Sequence, residues 1–474
     1  MKRTFVIVML CLLPLLSLQA QQTDAATLQG RWWLCMLEEA GLPLNLTFEA
    51  VGSDSLTAVL YSPMQSREPM PATTWSFRQD TLRYSHKQLG IKMTLCYKKA
   101  DGTFKGTFRQ GLLRSEIALT PTDGMYTLHR PQEPQTPFPY SEESVVLSQR
   151  KAGVTLTGTL TLPQGDGPFP AVVLVSGSGM QNRDEELLGH KPFLVLADYL
   201  TRHGIAVLRY DDRGMENGVV VANPGPSITE ATTMDYADDA EAMFNYLRKH
   251  KKIDAKRIGI VGHSEGGVIG PVVAARNKKV AFVVTLGGPG TTGAEVLLQQ
   301  NELIYALNGV AQPLVAKRCD VLRTFFAAID TLKPEAYESY LQKLMADRSS
   351  SLTAEERKLA GLRKADAMAM AMQMQHPWMR TFLSLDNSIY LSKLRCPLLA
   401  INGEKDCQVP PINLDAISKA TQGRAETHLM PGLNHLMQHC TTGTPNEYML
   451  IEETMAPEVL ELVAQWILSL PYSK

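Results

Sequence analysis

The segment Gly262-His263-Ser264-Glu265-Gly266 constrains the fold of this 474-residue chain more than any other feature. It follows a β-branched stretch and precedes a run of small residues, so the pattern predicts a strand that turns sharply into a helix. In so tight a turn, a side chain two positions before or after the serine would collide with the backbone, and the two glycines remove it. The segment predicts a reactive Ser264 at the top of a sheet; a plain strand-to-helix turn is the alternative.

Continuous apolar stretches alternate with helical patterns through the second part of the chain. Strands are predicted over 171–175, 205–208, 257–261, 280–284 and 397–401, and helices over 192–203 and 233–249. Strands without polar alternation, placed between helices, are typical of a parallel sheet that is covered on both faces. The fold class predicted is therefore α/β.

The chain is too long for one ordinary domain. Residues 22–130 show short alternating runs between glycine turns, which predict a small all-β accessory domain. Four prolines between 131 and 139 then predict a stiff linker over 131–141. The α/β domain is expected over 142–474. Residues from about 289 to 395 lack strand signals and predict a helical cap inserted into that domain.

Four methionines in the predicted cap stand at a spacing of two, Met368, Met370, Met372 and Met374. On a helix they would spread around the axis. One interpretation is that these methionines pack in the core of a helical subdomain. The other is that their soft side chains line an acyl pocket. The pattern leaves both interpretations open.

Composition excludes several classes of protein. The net charge is −1, with 44% hydrophobic and 20% charged residues, and no basic surface indicates nucleic-acid binding. Lys2-Arg3 followed by the apolar stretch 5–18 predicts a signal peptide over residues 1–20, too short to span a bilayer. An uncleaved anchor is the alternative. We expect a periplasmic or secreted protein with no stable membrane insertion after cleavage.

Six cysteines remain after the predicted cleavage, and an oxidising compartment permits disulfides among them. Cys407 and Cys440 lie close in sequence to the candidate catalytic residues, so a bridge between them is conceivable. Dispersed cysteines are equally typical of small apolar core residues. No pair has the spacing of a metal site.

A serine hydroxyl needs a base, and the base needs an orienting carboxylate. In this architecture the chain order is serine, acid, histidine, each in a loop at the carboxyl end of a strand. Asp406 follows the strand 397–401 and is the predicted acid. Glu404 is the local alternative, and Asp415 falls on the following helix.

The predicted base is His435, which lies in the loop after the apparent strand around His428. His428 itself lies within that strand, and His439 comes later, near Cys440. A neutral His435 would accept the serine proton while Asp406 fixes its tautomer.

Two backbone amides should stabilise the oxyanion. One is the N–H of Glu265, directly after the serine. The other is expected in the glycine-rich loop 176–179, from Ser178, with Gly179 as the alternative. A phosphate-binding loop is too weakly matched to predict a nucleotide.

The carboxylates of Asp211 and Asp212 could hold a metal, but the neighbouring Arg213 favours an internal ion pair. His263 is interpreted as packing beside the turn. We expect no metal and no cofactor.

Several segments together resemble a bacterial family of α/β-hydrolase esterases related to dienelactone hydrolases and to thermophilic esterases acting on short acyl esters. The matching segments are 169–179, 182–185, 189–192, 208–214, 262–267, 377–378, 382–383, 402–406 and 432–436. The likeness covers about residues 142–474. It implies the α/β-hydrolase fold and a triad of Ser264, Asp406 and His435, in agreement with the order of these residues.

The function predicted is a serine carboxylesterase acting on small-molecule short-acyl esters, with acetyl groups on carbohydrates as one suitable class. A serine peptidase or aminopeptidase of the same fold is the first alternative. An exported, inactive binding protein is the second. The sequence does not predict an oligomeric state.

Overall fold

The computed structural model describes residues 25–37, 42–52, 55–63, 66–111, 113–126, 129–221 and 225–471. The predicted signal peptide lies outside these residues. The chain divides into two compact units, Met1–Leu128 and His129–Lys474.

The first unit is a nine-stranded antiparallel sheet, which confirms the predicted all-β domain. Its strands are β1 (Trp32–Leu37), β2 (Leu42–Val51), β3 (Ser55–Ser62), β4 (Ser66–Pro71), β5 (Thr74–Arg78), β6 (Thr81–His86), β7 (Ile91–Lys98), β8 (Thr103–Gln110) and β9 (Leu113–Thr122). They are arranged in the order β4-β3-β2-β1-β9-β8-β7-β6-β5. Strand β7 alternates strictly between buried and exposed residues, as its sequence predicts.

Aromatic rings fill the core of this unit. Trp33 is buried and meets Phe104 edge to face, with ring centroids 5.1 Å apart. Its indole N–H donates to the carbonyl of Gly102 over 2.7 Å, so the one polar atom of this ring is satisfied.

The second unit contains an eight-stranded sheet. Its strands are β10 (Ser141–Gln149), β11 (Val154–Leu162), β12 (Phe169–Val175), β13 (Ala206–Tyr210), β16 (Ile253–His263), β17 (Val283–Leu286), β18 (Leu398–Gly403) and β19 (Glu426–Met430), and a short hairpin joins β14 (Met215–Glu216) to β15 (Val219–Val220). The order is β10-β11-β13-β12-β16-β17-β18-β19. From β13 to β19 neighbouring strands are parallel, while β10 and β11 pair antiparallel.

Helices cover both faces of this sheet. They are α1 (Pro192–Arg202), α2 (Pro226–Thr229), α3 (Thr233–Leu247), α4 (Gly266–Arg276), α5 (Gly293–Leu307), α6 (Gln312–Ala328), α7 (Tyr337–Arg348), α8 (Ala354–Leu359), α9 (Lys364–Met374), α10 (Pro377–Ser384), α11 (Asn387–Ser392), α12 (Ile412–Ala420), α13 (Pro445–Tyr448) and α14 (Pro457–Ser469). Along β12, Val173 packs in the core beneath α3 and α4, whereas Val172 and Leu174 pack in the core beneath α1 and α14. Burial on both sides explains why the strand is continuously apolar.

The insertion between β17 and β18 is helical, as predicted, and α5 to α10 form the cap. These helices share a core of their own, which includes Phe325 and Tyr337. Helix α11 differs, because Leu391 packs in the core of the main sheet. The cap therefore ends near Ser384 rather than near residue 395.

The cap methionines separate by face. Met370 and Met374, four residues apart on α9, are buried, whereas Met368 and Met372 are 50% and 64% exposed. Core packing accounts for the buried pair, and the exposed pair faces away from it.

The proline-rich segment 131–141 lies on the second unit. The Arg130 guanidinium, at its start, donates to the carbonyls of Gly189, Met449 and Ile451. Gln132 donates to the carbonyl of Met455 over 2.7 Å. Near the other end, the hydroxyl of Tyr140 donates to Asp198 Oδ1 over 2.9 Å, so the segment predicted as a linker is hydrogen bonded to the second unit at both ends.

The six cysteines in the described residues are free thiols. Cys407 and Cys440 donate to the separate carbonyls of Gly443 and Gly432 instead of bridging. Burial raises the pKa of Cys407 to about 11. Among the residues described, no helix has the length and apolarity that crossing a bilayer requires.

The Asp-Asp-Arg motif does not gather its carboxylates around one point. Asp211 pairs with Arg183, and Asp212 accepts from the hydroxyl of Ser176. Arg213 forms the predicted internal ion pair, but with Asp239 of α3: its Nε and Nη2 donate to the two carboxylate oxygens over 2.7 and 2.8 Å. Both side chains of this pair are almost fully buried.

Replacing Arg213 with methionine should cost about 3–5 kcal/mol of unfolding free energy, because it leaves a buried carboxylate unpaired. Arg276 is the matched control: it pairs with Asp238 and Glu241 of the same helix but is 32% exposed. Arg276→Met should cost less than about 1 kcal/mol. Urea unfolding followed by tryptophan fluorescence measures both, and equal losses would contradict the assignment.

Candidate active site

Ser264 lies in the turn between β16 and α4, with a φ of +53°. A non-glycine residue in the left-handed region is strained and is held there by its surroundings. A Cβ on Gly262 would lie 2.0 Å from the carbonyl oxygen of Gly266, and one on Gly266 would lie 2.1 Å from that of Val175. The two glycines are therefore required by close backbone contacts. Ser264 itself is partly exposed.

Asp406 and His435 lie in the loops after β18 and β19 and are hydrogen bonded to each other. Asp406 Oδ2 is 2.8 Å from His435 Nδ1, and both side chains are buried. The other oxygen, Oδ1, accepts the backbone N–H groups of Gln408 and Val409 over 2.9 and 2.8 Å. Two amides therefore fix the carboxylate while it orients the imidazole.

The alternative acids and bases lie elsewhere. Glu404 accepts the backbone N–H of Gly432, and Asp415 lies on α12. His428 pairs with Glu426 on β19, and the exposed His439 pairs with Glu453. None of the four contacts Asp406 or His435 through a described hydrogen bond.

A second pair of buried ionisable groups joins the serine turn to the histidine loop. His263 Nδ1 is 2.9 Å from Glu185 Oε1, and its Nε2 is 3.0 Å from the carbonyl oxygen of His435. Both ring nitrogens face acceptors, so the ring suits the doubly protonated, cationic form. Burial alone would lower the pKa of His263, but the Glu185 charge and these hydrogen bonds outweigh it and raise that pKa.

Glu185 also accepts the backbone N–H of Gly177 over 2.6 Å. It thus connects the loop 176–179 to His263 and, through it, to His435. The sequence interpretation of His263 as a packing residue missed this network. The segment 182–185, which is part of the family resemblance, was the available signal.

The loop 176–179 passes over the serine, since a Cβ on Gly177 would lie 3.1 Å from the Cβ of Ser264. The amide of Gly177 is already bonded to Glu185. The amides of Ser178 and Glu265 donate no hydrogen bond to the residues that the structure describes. Both predicted donors are therefore available to a ligand.

The side chain of Glu265 connects this site to the cap. It is buried, and its Oε1 accepts the hydroxyl of Thr233 over 2.6 Å and the indole N–H of Trp378, on α10, over 2.8 Å. Burial raises the pKa of this carboxyl. The sequence predicted a role only for the backbone of Glu265.

Within the described part of the chain, no group of three or more histidine, cysteine or acidic side chains is placed to hold a metal ion.

Residues 191–439, more than half of the chain, match the family model described as "Serine aminopeptidase, S33". The chain belongs to this family, and its fold is the α/β-hydrolase fold.

Among characterised proteins, the chain is similar to Esterase EstD of Thermotoga maritima, with 29% identity over 315 residues, or 66% of this chain and 65% of that protein. It is also similar to the mitochondrial acyl-coenzyme A thioesterase 2 of Mus musculus, with 29% identity over 31% of this chain and 28% of that protein. The alignments thus span less than two thirds of either relative.

The solved structure of dienelactone hydrolase from Anabaena variabilis aligns with 16% identity and a TM-score of 0.38, over 71% of this chain and 100% of that chain. The fold assignment rests on the strand order and the family match.

Gly287, at the end of β17, offers a test of the His435–Asp406 geometry. Its φ is +58°, and a Cβ there would lie 3.0 Å from His435 Nδ1 and 3.2 Å from Asp406 Oδ2. Gly287→Ala should lower the rate of nitrophenyl acetate hydrolysis by about 10- to 100-fold, because small displacements of catalytic groups are costly.

The control is Gly204→Ala, which shares the left-handed backbone (φ +87°) but has nothing within 4 Å of a Cβ. Both substitutions carry the same backbone strain, of about 1 kcal/mol. Equal loss of activity in the two variants would mean that strain alone, and not displacement of the pair, lowers the rate.

Proposed function

We propose that this protein is a serine carboxylesterase that hydrolyses short-acyl esters through Ser264, His435 and Asp406. The observation that carries the proposal is the buried His435–Asp406 hydrogen bond beside a strained serine turn. The esterase relative from Thermotoga maritima supports the same class of reaction.

In the first half of the reaction, Ser264 Oγ attacks the ester carbonyl. Because Asp406 accepts the Nδ1–H of His435, the Nε2 of that ring is the basic nitrogen and takes the serine proton. The negative charge that forms on the carbonyl oxygen is stabilised by the amides of Ser178 and Glu265. One such donor contributes about 10²- to 10³-fold in rate.

In the second half, the imidazolium of His435 gives its proton to the leaving alkoxide, and an acyl group remains on Ser264. Water then attacks the acyl-enzyme with His435 again as the base. Asp406 stays ionised throughout and stabilises the imidazolium that forms twice. No cofactor enters this sequence of steps.

The family description favours a second candidate, an aminopeptidase that uses the same three residues. Such an enzyme needs an acidic group to bind the free amino terminus of its substrate. Glu185 and Glu265, which lie beside the serine turn, are both buried, and Oε1 of each already accepts two hydrogen bonds. The other oxygen of Glu185, Oε2, has no partner among the described residues, but it is shielded from solvent. This argues for the ester as substrate.

We further propose that the protein is exported, on the pattern of residues 2–18. The esters outside the cytoplasm that suit a short-acyl site include acetyl groups on carbohydrates.

The purified protein should hydrolyse nitrophenyl acetate faster than aminoacyl nitroanilides. Ser264→Ala and His435→Ala should each lower the ester rate at least about 10³-fold, because the nucleophile and base act as a unit. His428→Ala, which removes the histidine of the neighbouring strand, should leave the rate nearly unchanged.

Faster turnover of the anilide would establish the aminopeptidase instead. Full ester turnover in folded Ser264→Ala would remove the proposed nucleophile, and no turnover of either substrate by the folded wild type would favour an inactive binding protein.

A further inference from the structure

The helical cap contains a cavity of about 410 Å³, open to solvent on one side and lined by none of the residues of the serine site. Its walls come from α5, α6, α9, the Gly361 turn and Met379 of α10. None of its lining residues belongs to the sheet or to the loops that carry Ser264, Asp406 and His435. A cavity of this size is in the range of small-molecule binding sites.

Most of the cavity wall is apolar. Its hydrophobic lining residues are Leu297, Ile304, Leu322, Phe326, Met370 and Met374, together with Met379. Methionine side chains adapt to ligands of varied shape. The wall therefore suits a hydrocarbon body.

One cation, Arg318 of α6, lines this apolar space. Its Nε donates to Asn301 Oδ1 over 2.8 Å, and its Nη1 donates to the carbonyls of Ala360 and Gly361 over 3.3 and 3.1 Å. The guanidinium stacks over the ring of Tyr305, 4.3 Å from its centroid. The two N–H groups of Nη2 have no partner among the described residues, and no described carboxylate lies within ion-pair distance of Arg318. Burial lowers the pKa of this arginine.

The backbone at Gly361 holds the arginine in place. A Cβ on Gly361 would lie 2.6 Å from Arg318 Nη1 and 2.6 Å from the hydroxyl of Tyr305, and the φ of this glycine is +62°. The guanidinium is therefore fixed before any ligand arrives, which reduces the entropy lost on binding.

The cavity wall also includes a carboxylate, Asp366, but both of its oxygens are taken. Arg363 donates from Nε to Oδ2 over 2.9 Å and from Nη2 to Oδ1 over 2.7 Å. Arg363 thus neutralises the charge of Asp366, whereas the Nη2 of Arg318 has no described partner and can donate to an anionic ligand. The charge arrangement favours an anion.

We propose that this cavity is a binding site for a monocarboxylate with an apolar body, distinct from the site at Ser264. The carboxylate would accept the two N–H groups of Arg318 Nη2, and the hydrocarbon would pack on the methionine wall. Met379 of this wall adjoins Trp378, whose indole N–H donates to Glu265 beside the serine. A ligand in the cap would thus contact the helix that touches the active site.

Octanoate is a suitable probe, with octan-1-ol and octylamine as its neutral and cationic counterparts. Isothermal titration of the full chain should show octanoate binding that weakens at least tenfold in Arg318→Met, while octan-1-ol binding changes little. The matched control is Arg323→Met, which removes an exposed arginine from the same helix and should leave octanoate binding unchanged.

A second pair of variants tests the site independently in case Arg318→Met does not fold. Met370→Trp fills the cavity and should abolish binding of both octanoate and octan-1-ol, whereas Met368→Trp, exposed on the same helix, should abolish neither. Absence of octanoate binding by the wild type would overturn the proposal. So would undiminished binding in folded Arg318→Met or in Met370→Trp, or a preference for octylamine. The titration involves no ester turnover, so its outcome is independent of the proposed esterase activity.

Discussion

The backbone contacts at the serine turn are the constraint on which the rest of the second unit depends. Gly262, Gly266 and the end of β12 approach so closely that no side chain fits between them. This approach places Ser264 in a left-handed conformation at the start of α4. β12 and β16 are neighbouring parallel strands with Val175 opposite Gly262, so the sheet order brings these backbones together at one edge.

Around that turn, the site is held by hydrogen bonds between loops that are far apart in the chain. Glu185 bonds to both Gly177 and His263, and His263 bonds to the carbonyl of His435. Glu265 extends the network to Trp378 of the cap. Buried hydrogen bonds therefore join the loop of the proposed oxyanion donors to the loop of the base, and the residue next to Ser264 in the chain bonds to the cap. Such a network fixes a single geometry only when nearly every member is satisfied.

The sequence predicted the parts of this arrangement that short-range patterns determine. The strand-turn-helix at Ser264, the apolar strands and the loops of Asp406 and His435 follow from local spacing and chain order. Three side-chain contacts could not be predicted, because each joins residues that meet only after folding. They are Arg213–Asp239, Glu185–His263 and Glu265–Trp378. The end of the cap was predicted too late in the chain for the same reason. The sequence of α11 is helical like that of the cap, and only its packing against the core of the main sheet separates it from the cap.

If the His435–Asp406 pair activates Ser264, this serine should react rapidly with a fluorophosphonate probe. Mass spectrometry of the labelled chain should locate a single adduct on Ser264. Labelling should be absent from Ser264→Ala, slowed strongly in His435→Ala and unaffected in His439→Ala, the exposed histidine of the same region. An adduct on another residue, or labelling of Ser264 at an unchanged rate without His435, would show that this pair does not activate Ser264.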